Sequence, residues 1–217
     1  DNSLYCLNAT TGNIIWSYIT GGDVVSSPAV VDGRVYVGSR DGNVYAFVLP
    51  HNVAINNIVI SKTIVGQSYS VHINVTCRNC GNFTETFNVT AYCNSIPIET
   101  KSAIDLPPLE ETTLTFTWNT TGFTKGNYTI SAVADKVPGE TATADNTYTN
   151  GMVLVTIAGD VTGDIWVDML DVSIIIEAFM STPSTSKWDP NCDVNGDLSI
   201  DMADISIAIE NFMKTDP

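Results

Sequence analysis

Two stretches of the chain, DVTGDIWVDMLD at 160–171 and DVNGDLSIDMAD at 193–204, repeat one another at an offset of thirty-three residues. Numbered from the first Asp, each places side-chain oxygens at positions 1, 3, 5, 9 and 12. In the first loop these are Asp160, Thr162, Asp164, Asp168 and Asp171, and in the second Asp193, Asn195, Asp197, Asp201 and Asp204. The residues at position 7, Trp166 and Ser199, would each add a backbone carbonyl. Carboxylates confined in so short a loop repel one another unless a cation lies between them. Oxygen donors at odd spacing are the ligand set of a hard divalent ion that takes about six to eight oxygens. The expected cofactor is therefore calcium, two ions in all. The second loop is the better equipped, because Asn195 offers a carbonyl where Thr162 offers a hydroxyl.

After each loop the sequence turns apolar, as DVSIIIEAFM and DISIAIENFM. The spacing predicts a helix in each half, burying Val172, Ile175, Ile176 and Phe179 in the first and Ile205, Ala208, Ile209 and Phe212 in the second. Position 8 of each loop, Val167 and Ile200, is apolar and suits back-to-back pairing of the loops. This duplicated EF-hand-like loop–helix unit, residues 159–213, resembles a type I dockerin. That resemblance implies two calcium ions and docking to a cohesin domain. The face it implies for docking includes Met169, Leu170, Met202 and Ala203 at loop positions 10 and 11, with Ile174 and Ile207 outward on the helices. The competing expectation is that one of these patches rests on the preceding domain. At position 6, where such loops usually carry Gly, the chain has Ile165 and Leu198. A non-glycine residue held at positive φ there costs on the order of 1–2 kcal/mol per site.

The rest of the chain supplies the setting. The formal net charge is −15 with nine Lys plus Arg, which disfavours nucleic acid and anionic membrane as partners. Twelve of the 24 acidic residues lie from Ala158 onward. No stretch approaches the ~20 apolar residues of a membrane span, so no membrane insertion is expected. Asn-x-Thr triplets at Asn8, Asn74, Asn82, Asn88, Asn119 and Asn127 are candidate N-glycan acceptors. Together they favour an extracellular or cell-surface protein whose leader is absent from this chain.

Residues 1–50 contain a second echo. DNSLYCLN (1–8) realigns with DGNVYAFV (41–48), and the short segments NIIWSYI, SSPAVVD and RVYVGS between them are β-rich. Turn signals stand at Thr11-Gly12, Asp32-Gly33 and Asp41-Gly42. A period near forty with about four strands per unit is that of a propeller blade. LYCLNATTGNIIW, SSPAVVDGRVYVGS and DGNVYAF resemble the repeats of PQQ-like, quinoprotein-type β-propellers over about one blade. The second copy runs into Leu49-Pro50-His51 without a second Trp-containing strand, leaving strand edges to be completed by a neighbouring molecule or by an upstream propeller.

Residues 51–157 read as an antiparallel β-sandwich, with strands in VAINNIVI, YSVHINVTC, ETFNVTAYC, TTLTFTWNTT, GNYTISAVAD and GMVLVTI. The ordered phrases VGQSYSVHINVTCRNCGNFTETFNV, TLTFTWNTTGFTKGNYTISAVAD and ADNTYT resemble CARDB, an Ig-like adhesion-type domain. No catalytic set is visible: His51 and His72 stand without an acid or nucleophile at useful spacing, and His72 reads as an outward strand residue. Cys77 and Cys80 suggest a local disulfide rather than a zinc or redox site, Cys93 and Cys192 remain to staple the sandwich to the last segment, and Cys6 suits a small buried strand position.

The expected fold is thus mainly β with a small α C-terminal module, residues 158–217. A partial propeller-blade sheet and an Ig-like sandwich precede it, and a paired EF-hand-like loop–helix domain closes it. The expected function is non-catalytic: an extracellular calcium-binding attachment protein tethered to a cohesin-like partner. The alternative is a structural subunit of an extracellular filament or surface layer, a homopolymer of sibling subunits. The third reading, the tail of a quinoprotein-type enzyme, has the least support in the residues present.

Overall fold

The computed structural model describes residues 2–7, 9, 11–31, 34–48 and 50–214. Asp1, the acceptor Asn8, the turn at 32–33 and Leu49 lie outside the described residues. The chain divides into two compact units, Asp1–Pro50 and His51–Pro217.

In the first unit, β1 (Ser3–Leu7) and β2 (Ile14–Ile19) form an antiparallel pair. The strands β3 (Ala29–Val31), β4 (Arg34–Gly38) and β5 (Val44–Val48) form a three-stranded meander. The expected blade is therefore split into two small sheets. Aromatic rings join them: Trp16 lies 5.3 Å from Phe47 and Tyr18 lies 5.5 Å from Tyr45. The Asp41 carboxylate accepts from Gly21 N (2.8 Å) and from the Tyr45 hydroxyl (2.6 Å), tying the same sheets through polar contacts. Of the large apolar residues described here only Leu4 and Val37 are buried, while Ile14, Ile19, Val25, Val30, Val44 and Val48 are exposed. Fifty residues bury too little surface for a core of their own. Cys6 is half-buried, not the buried packing residue expected from its alignment with Ala46.

The second unit begins with the sandwich. One sheet has the order β10-β9-β12-β13-β7 and the other β11-β8-β6. The strands are β6 (Val53–Ile60), β7 (Ile64–Gly66), β8 (Ser70–Asn79), β9 (Glu85–Cys93), β10 (Ile96–Leu106), β11 (Glu111–Asn119), β12 (Gly126–Ala134) and β13 (Thr147–Thr156). Alternation drives the packing: Val71, Ile73, Val75 and Cys77 of β8 face inward while His72 and Asn74 face out. Phe116 and Trp118 of β11 meet Val89, Ala91, Ile130 and Ala132 of the facing sheet in one core. Two strands differ from the sequence-based expectation. β10, which carries Pro97 and Lys101, is an edge strand with little apolar periodicity, and β7 is three residues long. β7 also pairs parallel to β13, so the sandwich is not wholly antiparallel.

The remaining helices are α1 (Met169–Glu177) and α2 (Met202–Glu210). They bury a separate small core of Val167, Val172, Ile175, Ile200, Ile205 and Ala208. A Cβ on Gly159 would lie 2.6 Å from Ala208 Cα, so this glycine permits the chain to pass directly against α2. No helix among the described residues is long and apolar enough to cross a membrane.

Several expectations about individual side chains are corrected. His51 does have an acid partner: its Nδ1 lies 2.6 Å from Glu85 Oε1, and its ring stacks on Phe83 at 4.3 Å. His72 faces outward as expected, beside the Thr117 hydroxyl. All five cysteines are free thiols. Cys77 and Cys93 are buried in the sandwich core and Cys192 in the helical core, so neither a Cys77–Cys80 bridge nor a Cys93–Cys192 staple forms. Among the candidate glycan acceptors, Asn74, Asn88, Asn119 and Asn127 are exposed and Asn82 is half-buried.

Burial pushes the thiols of Cys77 and Cys93 up to about 11 and that of Cys192 up to about 12. At neutral pH they remain protonated and shielded, hence poor nucleophiles. Native protein treated with iodoacetamide near neutral pH should leave all three unmodified, and denatured protein should alkylate all five cysteines without prior reduction. Mass spectrometry checks both expectations. A denatured sample that needs a reductant before it reacts would contradict the free-thiol assignment.

Candidate metal centre

Each acidic loop is organised by its first and last carboxylates. In the first, Asp160 Oδ1 accepts from Gly163 N (2.7 Å) and Asp164 N (3.2 Å), while Oδ2 accepts from Ile165 N (2.9 Å). Asp171 closes the loop from the helix: its Oδ1 accepts from Val161 N (3.0 Å) and Thr162 N (3.1 Å), and its Oδ2 from Asp168 N (3.0 Å). The second loop repeats the scheme. Asp193 accepts from the backbone N–H groups of Gly196, Asp197 and Leu198, and Asp204 from those of Val194, Asn195 and Asp201. Buried carboxylates are thus satisfied by main-chain donors, and each loop is wound round its own acids.

In the first loop, one oxygen from each of Asp160, Asp164 and Asp171 comes within 4.8 Å of the others. Three converging carboxylates, two of them buried, with no nitrogen or sulfur donor among them, fit a hard cation such as calcium. No such convergence occurs in the second loop among the described residues. There Asp197 Oδ2 accepts from Asn195 Nδ2 (2.9 Å), and Asn195 Oδ1 accepts from Asp197 N (2.9 Å). The loop expected to be the better equipped is therefore the less convergent one, because Asn195 is occupied with Asp197. In the first loop Thr162 donates to Asp160 Oδ1 (3.3 Å), and Trp166 is half exposed, leaving its backbone carbonyl as the donor of interest. Ser199 holds the matching position and donates its N–H to Asp197 Oδ1 (2.9 Å).

Asp168 and Asp201 have a capping task that their spacing as ligands does not show. Each is the N-cap of its helix, accepting from Leu170 N and Ala203 N at 2.7 Å, and each forms a capping box with the Asp three residues on. Neither belongs to the converging group. Position 6 lies where expected, with Ile165 at φ 73° and Leu198 at φ 69°. Val167 and Ile200 share the core, both fully buried, but their backbones do not pair with each other. Instead Met180 N donates to Ile200 O and Met213 N to Val167 O, both at 2.8 Å, so each loop is held by the chain leaving the opposite helix.

Both helices are rotated from the face expected. Ile176 and Ile209 are 53% and 57% exposed, whereas Ile174 and Ile207, expected to point outward, are half-buried against the core. The cause is Asp171, and equally Asp204. Each must point into its loop, so the helix turns its 171/172/175/178 side, or 204/205/208, inward. Met169, Leu170, Met202 and Ala203 are exposed, which removes the expectation that this patch rests on the sandwich.

What does meet the sandwich is a set of residues that spacing could not reveal. Thr156, at the end of β13, donates its hydroxyl to Asp160 Oδ2 (2.6 Å). Asn191 Oδ1 accepts from Thr63 N and Ile64 N, both at 3.0 Å. Lys62, 5% exposed, donates its ammonium to the Asp193 carbonyl. A Cβ on Gly66 would lie 2.5 Å from Ala158 Cα, so the β7 edge and the segment leading into the first loop approach backbone to backbone.

The strained position 6 gives a direct test. Ile165→Gly and Leu198→Gly each remove a positive-φ penalty of about 1–2 kcal/mol, less the roughly 0.5–1 kcal/mol that glycine costs through the unfolded chain. Each variant should bind calcium at least as tightly as the unmutated protein, with a small rise in melting temperature. Calorimetry and thermal melts check this, and a clear loss of affinity would mean that the side chains contribute more than their backbone strain costs.

Comparison with known families places these features in order. Residues 1–49 match the family described as outer membrane protein assembly factor BamB (PQQ_2), residues 52–150 match CARDB, and residues 158–213 match the dockerin type I domain. No curated protein sequence matches the chain. Among solved structures, the CARDB domain of a Pyrococcus furiosus protein, crystallised in complex with di-metal ions, is 24% identical. It is similar over 51% of this chain and 98% of its own, with a TM-score of 0.44. A solution structure of that domain is 26% identical over 48% of this chain and 96% of its own, with a TM-score of 0.39. A β-glucosidase from Erythrobacter marinus is 13% identical over 52% of this chain and only 16% of its own, also at 0.39. None of these scores reaches 0.5, so what those proteins bind or hydrolyse says nothing of this chain. Type I dockerin domains bind calcium and a cohesin partner, and dockerin and CARDB domains are typical of extracellular or cell-surface proteins. A PQQ-like repeat, a CARDB domain and a type I dockerin domain thus match this chain in that order, and the last of them spans both acidic loops.

Proposed function

We propose that this protein is a non-catalytic, extracellular attachment protein whose C-terminal module, folded round two calcium ions, tethers it to a cohesin-type protein partner. One observation carries the reading. Met169, Ser173, Ile176 and Met180 form an exposed stripe along α1 and its end, and Met202, Ser206, Ile209 and Met213 repeat it residue for residue along α2. Unbranched methionines beside small serines make a surface that adapts to a partner, and an exposed apolar stripe of this extent marks an interaction site. Calcium acts on this surface indirectly: Asp171 and Asp204 set the rotation of each helix and so decide which side faces out.

The non-catalytic part of the reading rests on the histidine–carboxylate pair seen among the described residues. His51 pairs with Glu85 and stacks on Phe83, a combination that packs the end of the sandwich. A second reading, assembly of sibling subunits into a filament or layer, is favoured by the exposed apolar strands of the first unit.

Calorimetry of the chelated protein should show uptake of two calcium ions, and the absence of uptake would remove the basis of the tether. With calcium bound, Ile176→Asp together with Ile209→Asp should abolish capture by a cohesin domain while leaving calcium uptake intact. A strictly monomeric chain at high concentration that binds cohesin supports the tether. Concentration-dependent polymers without cohesin binding support the subunit reading instead.

A further inference from the structure

The two loops are near-copies in sequence, yet the sandwich treats them differently. The first is held by a neutral group, the Thr156 hydroxyl on Asp160 Oδ2. The second receives a cation. Lys62 lies in the link between β6 and β7, is 5% exposed, and donates to the carbonyl of Asp193, the first residue of the loop. Burial works against its positive charge, and the nearby carboxylates of Asp193 and Asp204, the two acids that close that loop, favour it. Trp188, Pro190 and Leu198 line the same small cleft beside Ser61, Ser70 and His72. A buried ammonium is expensive unless opposite charge lies near it, and here that charge is the carboxylates of the second loop, beyond direct ion-pair contact, while the Asp193 carbonyl takes its hydrogen bond.

We infer that Lys62 is a built-in counter-ion for the second loop, a positioning residue that makes the two calcium sites inequivalent. This inference rests on the calcium reading proposed above. The first loop has its carboxylates drawn together and relies on an external cation for neutralisation. The second has part of its charge met from within the chain, which keeps it wound without metal and repels an incoming divalent ion. Pre-organisation by Lys62 acts in the opposite sense but is the smaller effect, because Asp193 and Asp204 already accept six backbone N–H groups that hold the loop without it. The first site therefore binds calcium more tightly, and the link between sandwich and second loop persists in the calcium-free protein.

The test uses the full chain with calcium alone as the probe. Calorimetry of the unmutated protein should resolve two classes of site, with Asp171→Asn removing the tighter and Asp204→Asn the weaker. Lys62→Met should raise the affinity of the weaker site at least about fivefold, as expected for removing a nearby positive charge, and leave the tighter site unchanged. It should also lower the melting temperature more in chelator than in calcium. Lys62→Gln keeps a hydrogen-bond donor without charge and should raise the affinity in the same way, so it carries the test if the methionine variant folds poorly. Equal falls in melting temperature with and without calcium, at unchanged affinity, would reduce Lys62 to a packing residue and overturn the inference. A failure of the unmutated chain to take up any calcium would overturn the calcium reading as well, whereas uptake indifferent to Lys62 would overturn this inference alone.

Discussion

Everything in the C-terminal third follows from where four carboxylates point. Asp160, Asp171, Asp193 and Asp204 are buried, and each gathers main-chain N–H groups from its own loop. A buried anion is tolerated when several donors and a counter-charge meet it. The donors come from the winding of the loop, and the counter-charge is the role left for a divalent cation. Because Asp171 and Asp204 sit at the third position of their helices, satisfying them also fixes each helix about its axis. One electrostatic requirement therefore sets the metal site, the small core behind it and the outward stripe in front of it.

The same requirement reaches into the sandwich. The end of β13 supplies Thr156, the link after β6 supplies Lys62 and Thr63, and the glycine ending β7 lets the segment leading into the first loop approach its backbone. These contacts come from residues far apart in sequence, and they join a β core to a module whose own core is small. The sandwich then acts as more than a spacer. It holds the paired helices in a fixed orientation to the β core.

Much of this could be read from the sequence, and the parts that could not share a physical cause. Odd-numbered oxygens repeated at thirty-three residues gave the loops, and alternation in YSVHINVTC and ETFNVTAYC gave the central strands, since both are local periodicities. The rotation of the helices is not legible in the sequence because hydrophobicity alone places Ile176 beside Val172. The inward turn comes from a charged residue, Asp171, that a wheel of apolar positions ignores. Asp168 and Asp201 read as ligands by spacing, and a carboxylate just before a helix also suits the N-cap, a role that Oδ1 of each takes here. The edge strand β10 was missed because an edge needs no apolar face to pack, and Lys62 because nothing local announces a lysine whose partner lies 131 residues away.

The central claim is that neutralising the loop carboxylates by a divalent cation holds the helices in place, while the sandwich stands without it. Backbone hydrogen exchange of the whole chain, compared in calcium and in chelator, tests this most directly. The account predicts strong protection of the amides of α1 and α2, and of the loop amides at 163–165, in calcium. In chelator most of the protection of α1 and of the 163–165 amides should be lost and that of α2 should fall less, while the central strands β8, β9 and β12 exchange equally slowly in both. Helices equally protected with and without calcium would contradict it.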